Sequence, residues 1–290
     1  MARPADDAMT PPRSAGDQPT SRHTRSLVQA VATALVLLGL IALCAYLGRP
    51  AFFVLIIVVV SVALFELYDG LIQAGHRIVA PYGLAAGAAL MVGAYLESVE
   101  VIAVAAVAGV LGSFVLALRP GRGPTPATDI GWTVLGVFWV AGGGAAATGI
   151  LMLNDGLALL IAFVLVTAVG DIGAYFIGVS FGRHKLAPSI SAAKSWEGFL
   201  AQIPSAVLAG LVASALVDRI GTVEGLGLGL LCGVLGPAGD LSESLFKREI
   251  GIKDSGRLLP GHGGFLDRLD AIVFCAPAAF VYYLLVLPGA

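Results

Sequence analysis

The stretch GPAGDLSESLFKREIGIKDSGRLLPGHGGFLDRLD, Gly236 to Asp270, packs carboxylates, cations, glycines and a histidine between two runs of pure hydrophobicity. An ionisable residue at a membrane face is costly unless it binds something, so Asp240 and Glu243 read as functional by default. On a continuous helix Asp240, Ser244 and Lys247 fall at i, i+4 and i+7, and one face then offers an anion, a hydroxyl and a cation. Asp267 and Asp270 are three apart where the next apolar run begins, so a second helix can bring two carboxylates to the same place. Clustered aspartate oxygens suit Mg²⁺, a hard cation that keeps positions open for phosphates. Pro260, Gly261, His262, Gly263 and Gly264 form a loop that allows close backbone approach and offers amide donors to an anion. Lys247, Arg248, Lys253, Arg257 and Arg268 surround it. These residue types fit phosphoryl or nucleotidyl transfer, in which metals and cations neutralise the reacting phosphates. A blander reading competes: Arg248 and Arg257 snorkel or set topology, Asp270 caps a helix, His262 makes a loop contact. It does not account for three aspartates interleaved with His and Gly.

The elements that must position these residues are set by hydropathy. Of the 290 residues, 58% are hydrophobic and 12% charged. The mean hydropathy is +0.91, so the chain is expected to be a membrane protein. A formal net charge of -2 leaves no basic field for nucleic acid. Cys44, Cys232 and Cys275 lie in apolar stretches without metal-type spacing and read as packing residues. Residues 1–26, rich in Pro, Asp, Ser, Thr and Arg, read as a disordered tail. No small-residue cleavage site interrupts the apolar run from Leu27, so a cleaved signal peptide is not expected.

A hydrocarbon core of about 30 Å takes roughly 20 apolar residues as a helix. Nine candidate spans follow, at 27–47, 52–72, 79–96, 99–118, 130–151, 157–181, 198–217, 224–246 and 270–287, with eight to ten as the range. The runs are continuous rather than alternating, which excludes barrel strands and predicts an all-α transmembrane bundle. The tight connections near Glu97 to Glu100 and near Asn154 to Gly156 can also be read as breaks within long helices. Residues 27–156 form an N-terminal set of helices and 157–290 a C-terminal catalytic region. The loops after spans two, four, six and eight share one side and hold most of the Lys and Arg, against Arg49 and Arg219 between spans on the other. The positive-inside rule therefore puts the charged loops in the cytoplasm. The tail, with Arg3, Arg13, Arg22 and Arg25, disagrees with that orientation.

The string from Ser244 to Asp270 resembles the phosphatidate cytidylyltransferase (CDP-diglyceride synthase) signature: Ser, then Lys-Arg, Lys-Asp, His-Gly-Gly, Asp-Arg and a final Asp. Upstream, Asp171, Gly173, Ala174, Tyr175 and Phe176 resemble the family's Asp-Ser-Gly-Ala-Tyr stretch, with Ile172 departing from it. SAAKSWEGF, Ser191 to Phe199, resembles its Ser-Pro-x-Lys-Thr-x-Glu-Gly motif, with two departures: Ala192 for Pro loses only a stiffener, and Ser195 for Thr keeps the hydroxyl. The motifs cover residues 171–270; Glu66, Glu97 and Glu100 are left without a role.

The resemblance implies that CTP and phosphatidate give CDP-diacylglycerol and pyrophosphate at a bacterial inner membrane, with the catalytic loops cytoplasmic. Asp240 and Asp267 would bind Mg²⁺, Asp270 would be a further ligand or anchor, and a second cation could share the site. Ser244 and Lys247 would contact phosphate. Lys194, with Ser191, Ser195 and Glu197, would come from the neighbouring loop, with Asp171 at its membrane end. His262, Gly263 and Gly264 would line the triphosphate path. Arg248, Lys253 and Arg268 would add positive charge for substrate, and the family leaves room for a homodimer. A transporter using Asp171 and Asp240 as coupling sites is the competing class. It calls for charge dispersed at the midplane, whereas here charge gathers in two loops of one side. A third reading keeps the chemistry but exchanges the diacyl lipid for an isoprenoid.

Overall fold

The computed structural model describes residues 36, 38–119, 125–252, 264–287 and 289. Each predicted span holds a helix. They are α1 (Leu38–Leu47), α2 (Arg49–Gln73), α3 (Ala80–Tyr95) and α4 (Val99–Ala117), then α5 (Pro126–Gly136) and α6 (Gly142–Met152) joined by a π-helical turn, Val137–Ala141. The C-terminal set is α7 (Gly156–Phe181), α8 (Trp196–Leu216), α9 (Thr222–Glu249) and α10 (Leu266–Val286). Counting Pro126–Met152 as one, seven helices are long and apolar enough to cross a membrane. The chain is a multi-pass membrane protein. In lipid every backbone polar group must be satisfied within the segment, and these all-round apolar sequences do so as helices.

The two ambiguous connections are true breaks. Glu97 (φ 52) and Asp155 (φ 57) both adopt the left-handed conformation that ends a helix. Three features depart from the predicted pattern. The fifth span starts earlier than expected and bulges at the π-helical turn, a form that recurs at functional sites. The eighth continues past its predicted end at 246, through Lys247, to Glu249. The loop between α7 and α8 folds into a short antiparallel hairpin of β1 (Lys185–Ala187) and β2 (Ser191–Ser195), pairing Lys185 with Ser195 and Ala187 with Ser191.

Helices α7, α8, α9 and α10 pack in sequence order. Small residues set the approach, as is usual where lipid gives helices no hydrophobic reason to associate. A Cβ on Gly233 of α9 would stand 2.8 Å from the Ile203 Cα of α8, and one on Gly239 would stand 2.9 Å from the Asp270 carbonyl and 3.0 Å from the Ala271 Cα of α10. The absence of a side chain at Gly239 thus lets the two aspartate-bearing helices touch.

The connections divide between two ends of the bundle. At one, Arg49 Nη2 donates to the Leu153 carbonyl (2.9 Å), and the Gly289 carbonyl accepts from Asn154 (2.8 Å) and Arg219 (3.1 Å). At the other, His76 meets Asp129 (3.1 Å), and Arg248 donates to the Ile190 carbonyl of the hairpin turn (3.2 Å). The sorting of odd and even loops agrees with the topology expected from the sequence.

Candidate active site

Two side-chain clusters sit side by side at the charged end. The first lines a cavity of about 290 Å³ between α7, α8, α9 and β2. Asp171 projects from α7 and accepts from Gln202 Nε2 of α8 at 2.6 Å. Lys194, carried by β2, donates to Asp240 Oδ2 of α9 at 2.7 Å. Ser191 and Ser195 complete the hairpin side of the wall and Tyr175 part of the α7 side. Pro237 lies one turn before Asp240 on the cavity wall, where its missing N–H opens the helix ladder.

The second cluster lies between the C-terminal end of α9 and the start of α10. Lys247 Nζ reaches Glu243 Oε2 (2.9 Å), one turn back on its own helix, and Asp267 Oδ1 (2.8 Å) on the other. Asp267 Oδ2 accepts the Gly264 amide at 2.9 Å, and Asp270 Oδ1 accepts the Ala271 amide at 2.9 Å. The buried Glu243 carboxyl also meets those of Asp267 and Asp270, and Asp270 feels the charge of Asp240. The two clusters thus bring together five carboxylates and two lysines, with Glu243 at the hub of the second.

Most residues singled out by sequence converge here. Asp171, Ser191, Lys194, Ser195 and Asp240 border the cavity, and Lys247, Gly264, Asp267 and Asp270 form the second cluster. Ser244 is half-buried one turn beyond Asp240, as its spacing requires. Ser195 and two others, Glu197 and Arg248, have contacts that build the frame. The Ser195 hydroxyl caps α8 by accepting the Gly198 amide (3.2 Å), and Arg248 holds the hairpin turn. Glu197 accepts from the His184 backbone (3.2 Å) and pairs with its ring at 2.6 Å, tying the hairpin to α8. Arg268 is exposed on the first turn of α10. Lys253, His262 and Gly263 lie outside the described residues.

Sequence reasoning did not find Gln202; its only signal is a polar amide in an apolar span. Glu243 was marked as a charge in need of a partner but given no role. Its position as hub follows from the approach of α10, which no spacing reports.

The carboxylate oxygens suit the expected Mg²⁺, a hard cation, and carboxyls that meet one another, as Glu243 does with Asp267 and Asp270, need a proton or a cation between them. Among the described residues, no three His, Cys, Asp or Glu side chains are already grouped as a site, and Lys194 and Lys247 hold the positive charge. The residues fit the ion in chemistry, with rearrangement of those lysines as the condition.

A family model described as the cytidylyltransferase family matches residues 28–286. A protein of Mycobacterium bovis named phosphatidate cytidylyltransferase is 34% identical over 296 residues, covering 94% of this chain and 94% of its own. One of the same name from Mycobacterium tuberculosis is 34% identical over 94% of this chain and 88% of its own. A third, from Brucella suis, is 42% identical over 52% of this chain and 56% of its own. With the match running from the first apolar stretch to the end of α10, the chain belongs to the cytidylyltransferase family.

Proposed function

We propose that the protein is a phosphatidate cytidylyltransferase, converting CTP and phosphatidate to CDP-diacylglycerol and pyrophosphate on the cytoplasmic side of a bacterial inner membrane. The observation that carries this reading is the meeting of Lys194, Asp240, Lys247 and Asp267 from three elements at one end of an apolar bundle. A phosphate-bearing lipid can reach that place from the bilayer and a nucleotide from water.

In the reaction an oxygen of the lipid phosphate attacks the α-phosphorus of CTP. A new P–O bond forms, the α–β bridging bond breaks, and pyrophosphate leaves with that electron pair. The attacking phosphate is already ionised near neutral pH, so the protein has little base work to do; it must hold two polyanions in line. Lys194 and Lys247 supply charge toward the phosphates once released from their carboxylates, and Ser244 donates from the same face as Lys247. Asp171, which accepts from Gln202, would sit at the membrane end of the cavity. Lys253, Arg268 and the loop with His262, Gly263 and Gly264 belong to the triphosphate path. Asp240, Asp267 and Asp270 are the residues that would hold Mg²⁺, which supplies neutralisation of developing phosphate charge; a second cation belongs to the same proposal. Residues 157–290 form the catalytic region on this reading, which leaves room for a homodimer.

Asp240→Asn and Asp267→Asn proteins, purified and supplied with CTP, Mg²⁺ and a panel of lipid phosphates, are expected to lose CDP-lipid formation by about 100-fold or more. Near wild-type turnover in both would overturn the metal assignment. Preference for an isoprenoid phosphate over phosphatidate in the parent protein would overturn the substrate.

A further inference from the structure

Glu66 is one of the N-terminal carboxylates that the motifs leave without a role. Glu66 lies in the fifth turn of α2 and is only 3% exposed. Its Oε2 accepts the backbone amide of Leu266 at 3.1 Å across 200 residues of sequence, and the Phe265 amide also points to the carboxylate. These amides open α10, whose N-cap Phe265 is helical and supplies no side-chain cap of its own. The first amides of a helix have no intrahelical acceptor, and a carboxylate placed there both accepts them and meets the positive end of the helix dipole. Asp267, the partner of Lys247, is the next residue after Leu266.

A second observation places Glu66 at the cluster's wall. It lines a cavity of about 10 Å³ together with Trp139, Glu243, Lys247 and Leu266. Glu66 Oε1 and Trp139 Nε1, an acceptor and a donor, both border this space and are buried without a hydrogen-bond partner among the described residues. Room for about one water between them would let α2 and the π-helical turn be tied together at the same point.

We propose that Glu66 is a positioning residue for the site: it caps α10 from α2 and thereby holds Asp267 where Lys247 and Glu243 can use it. The inference rests on the catalytic reading of the α9–α10 cluster. It gives the N-terminal helices a part in the chemistry without contact with substrate.

The test uses the full chain in lipid nanodiscs and reads amide hydrogen exchange together with initial rates over a range of CTP. In Glu66→Ala, exchange over residues 264–270 is expected to rise about tenfold, the scale of a lost cap, while α8 is unchanged. The rate constant kcat should fall by a similar factor with little change in KM, and Glu66→Gln, which keeps an acceptor, should lie between. In an Asp267→Asn background, Glu66→Ala should cost nothing further. Unchanged exchange at 264–270, a rise spread over the whole protein, or losses that multiply in the double variant would each overturn the proposal. Where Glu66→Ala does not accumulate, Glu66→Gln carries the same comparison. Should Asp267→Asn turn over normally, the catalytic reading of the cluster fails, and the exchange data still decide whether Glu66 holds α10.

Discussion

Lys247 shows how a single side chain is held by opposing demands. It is 16% exposed and its ammonium lies between Glu243, 4% exposed, and Asp267, 13% exposed. Each carboxylate would lose its cation without it. Lys247→Met is therefore expected to destabilise the fold as well as abolish turnover, by about 1–3 kcal/mol, less than for a fully buried pair because the end of α9 is partly wet. Thermal unfolding in detergent measures the first and product formation the second. Gln202→Leu removes the donor that Asp171 receives at 2.6 Å and leaves that carboxylate bare on the cavity wall. Activity should drop about tenfold or more, with the chain still folding, because only one hydrogen bond is lost.

At the scale of elements, the site depends on how closely α9 and α10 approach and on a hairpin that delivers Lys194. Gly239→Ala places a Cβ 2.9 Å from the Asp270 carbonyl. The helices must separate, at a cost of about 1–3 kcal/mol, and the separation carries Asp270 away from Asp240 and Glu243. The expected result is a protein that inserts normally, melts earlier and turns over slowly; unchanged rates would mean that the register of the two helices is irrelevant to chemistry. The hairpin is held from outside its own short ladder, through Glu197 to His184 and Arg248 to Ile190. Glu197 and Arg248, expected at the substrate, thus also make the contacts that tie the hairpin carrying Lys194 to α8 and α9.

For the whole molecule, the described connections separate into two ends, with the hairpin at one and the α8–α9 turn at the other. Cys44, Cys232 and Cys275 are all buried, so substituted cysteines can be read with little background. Ser189→Cys, on the exposed hairpin turn, should react with an impermeant maleimide only after the cells are opened. Asp218→Cys, exposed between α8 and α9, should react in intact cells. The reverse pattern would place the catalytic end outside and contradict the orientation drawn from the positive loops.

Continuous apolar runs determined by themselves that the chain crosses the membrane many times as helices, because lipid allows only helices or closed barrels and barrel strands would alternate. Spacing likewise determined that Asp240, Ser244 and Lys247 share a helix face, since α9 has only to continue for that to hold. What tertiary structure alone decided is which charges meet. Lys194 finds Asp240 across 46 residues, Lys247 finds Asp267 across 20 and Glu66 finds the start of α10 across 200. Such pairings depend on glycine contacts and a hairpin ladder, whose effects add up only when the helices pack. A buried carboxylate in an apolar span announces in the sequence that it needs a partner, and the fold alone determines which one it has.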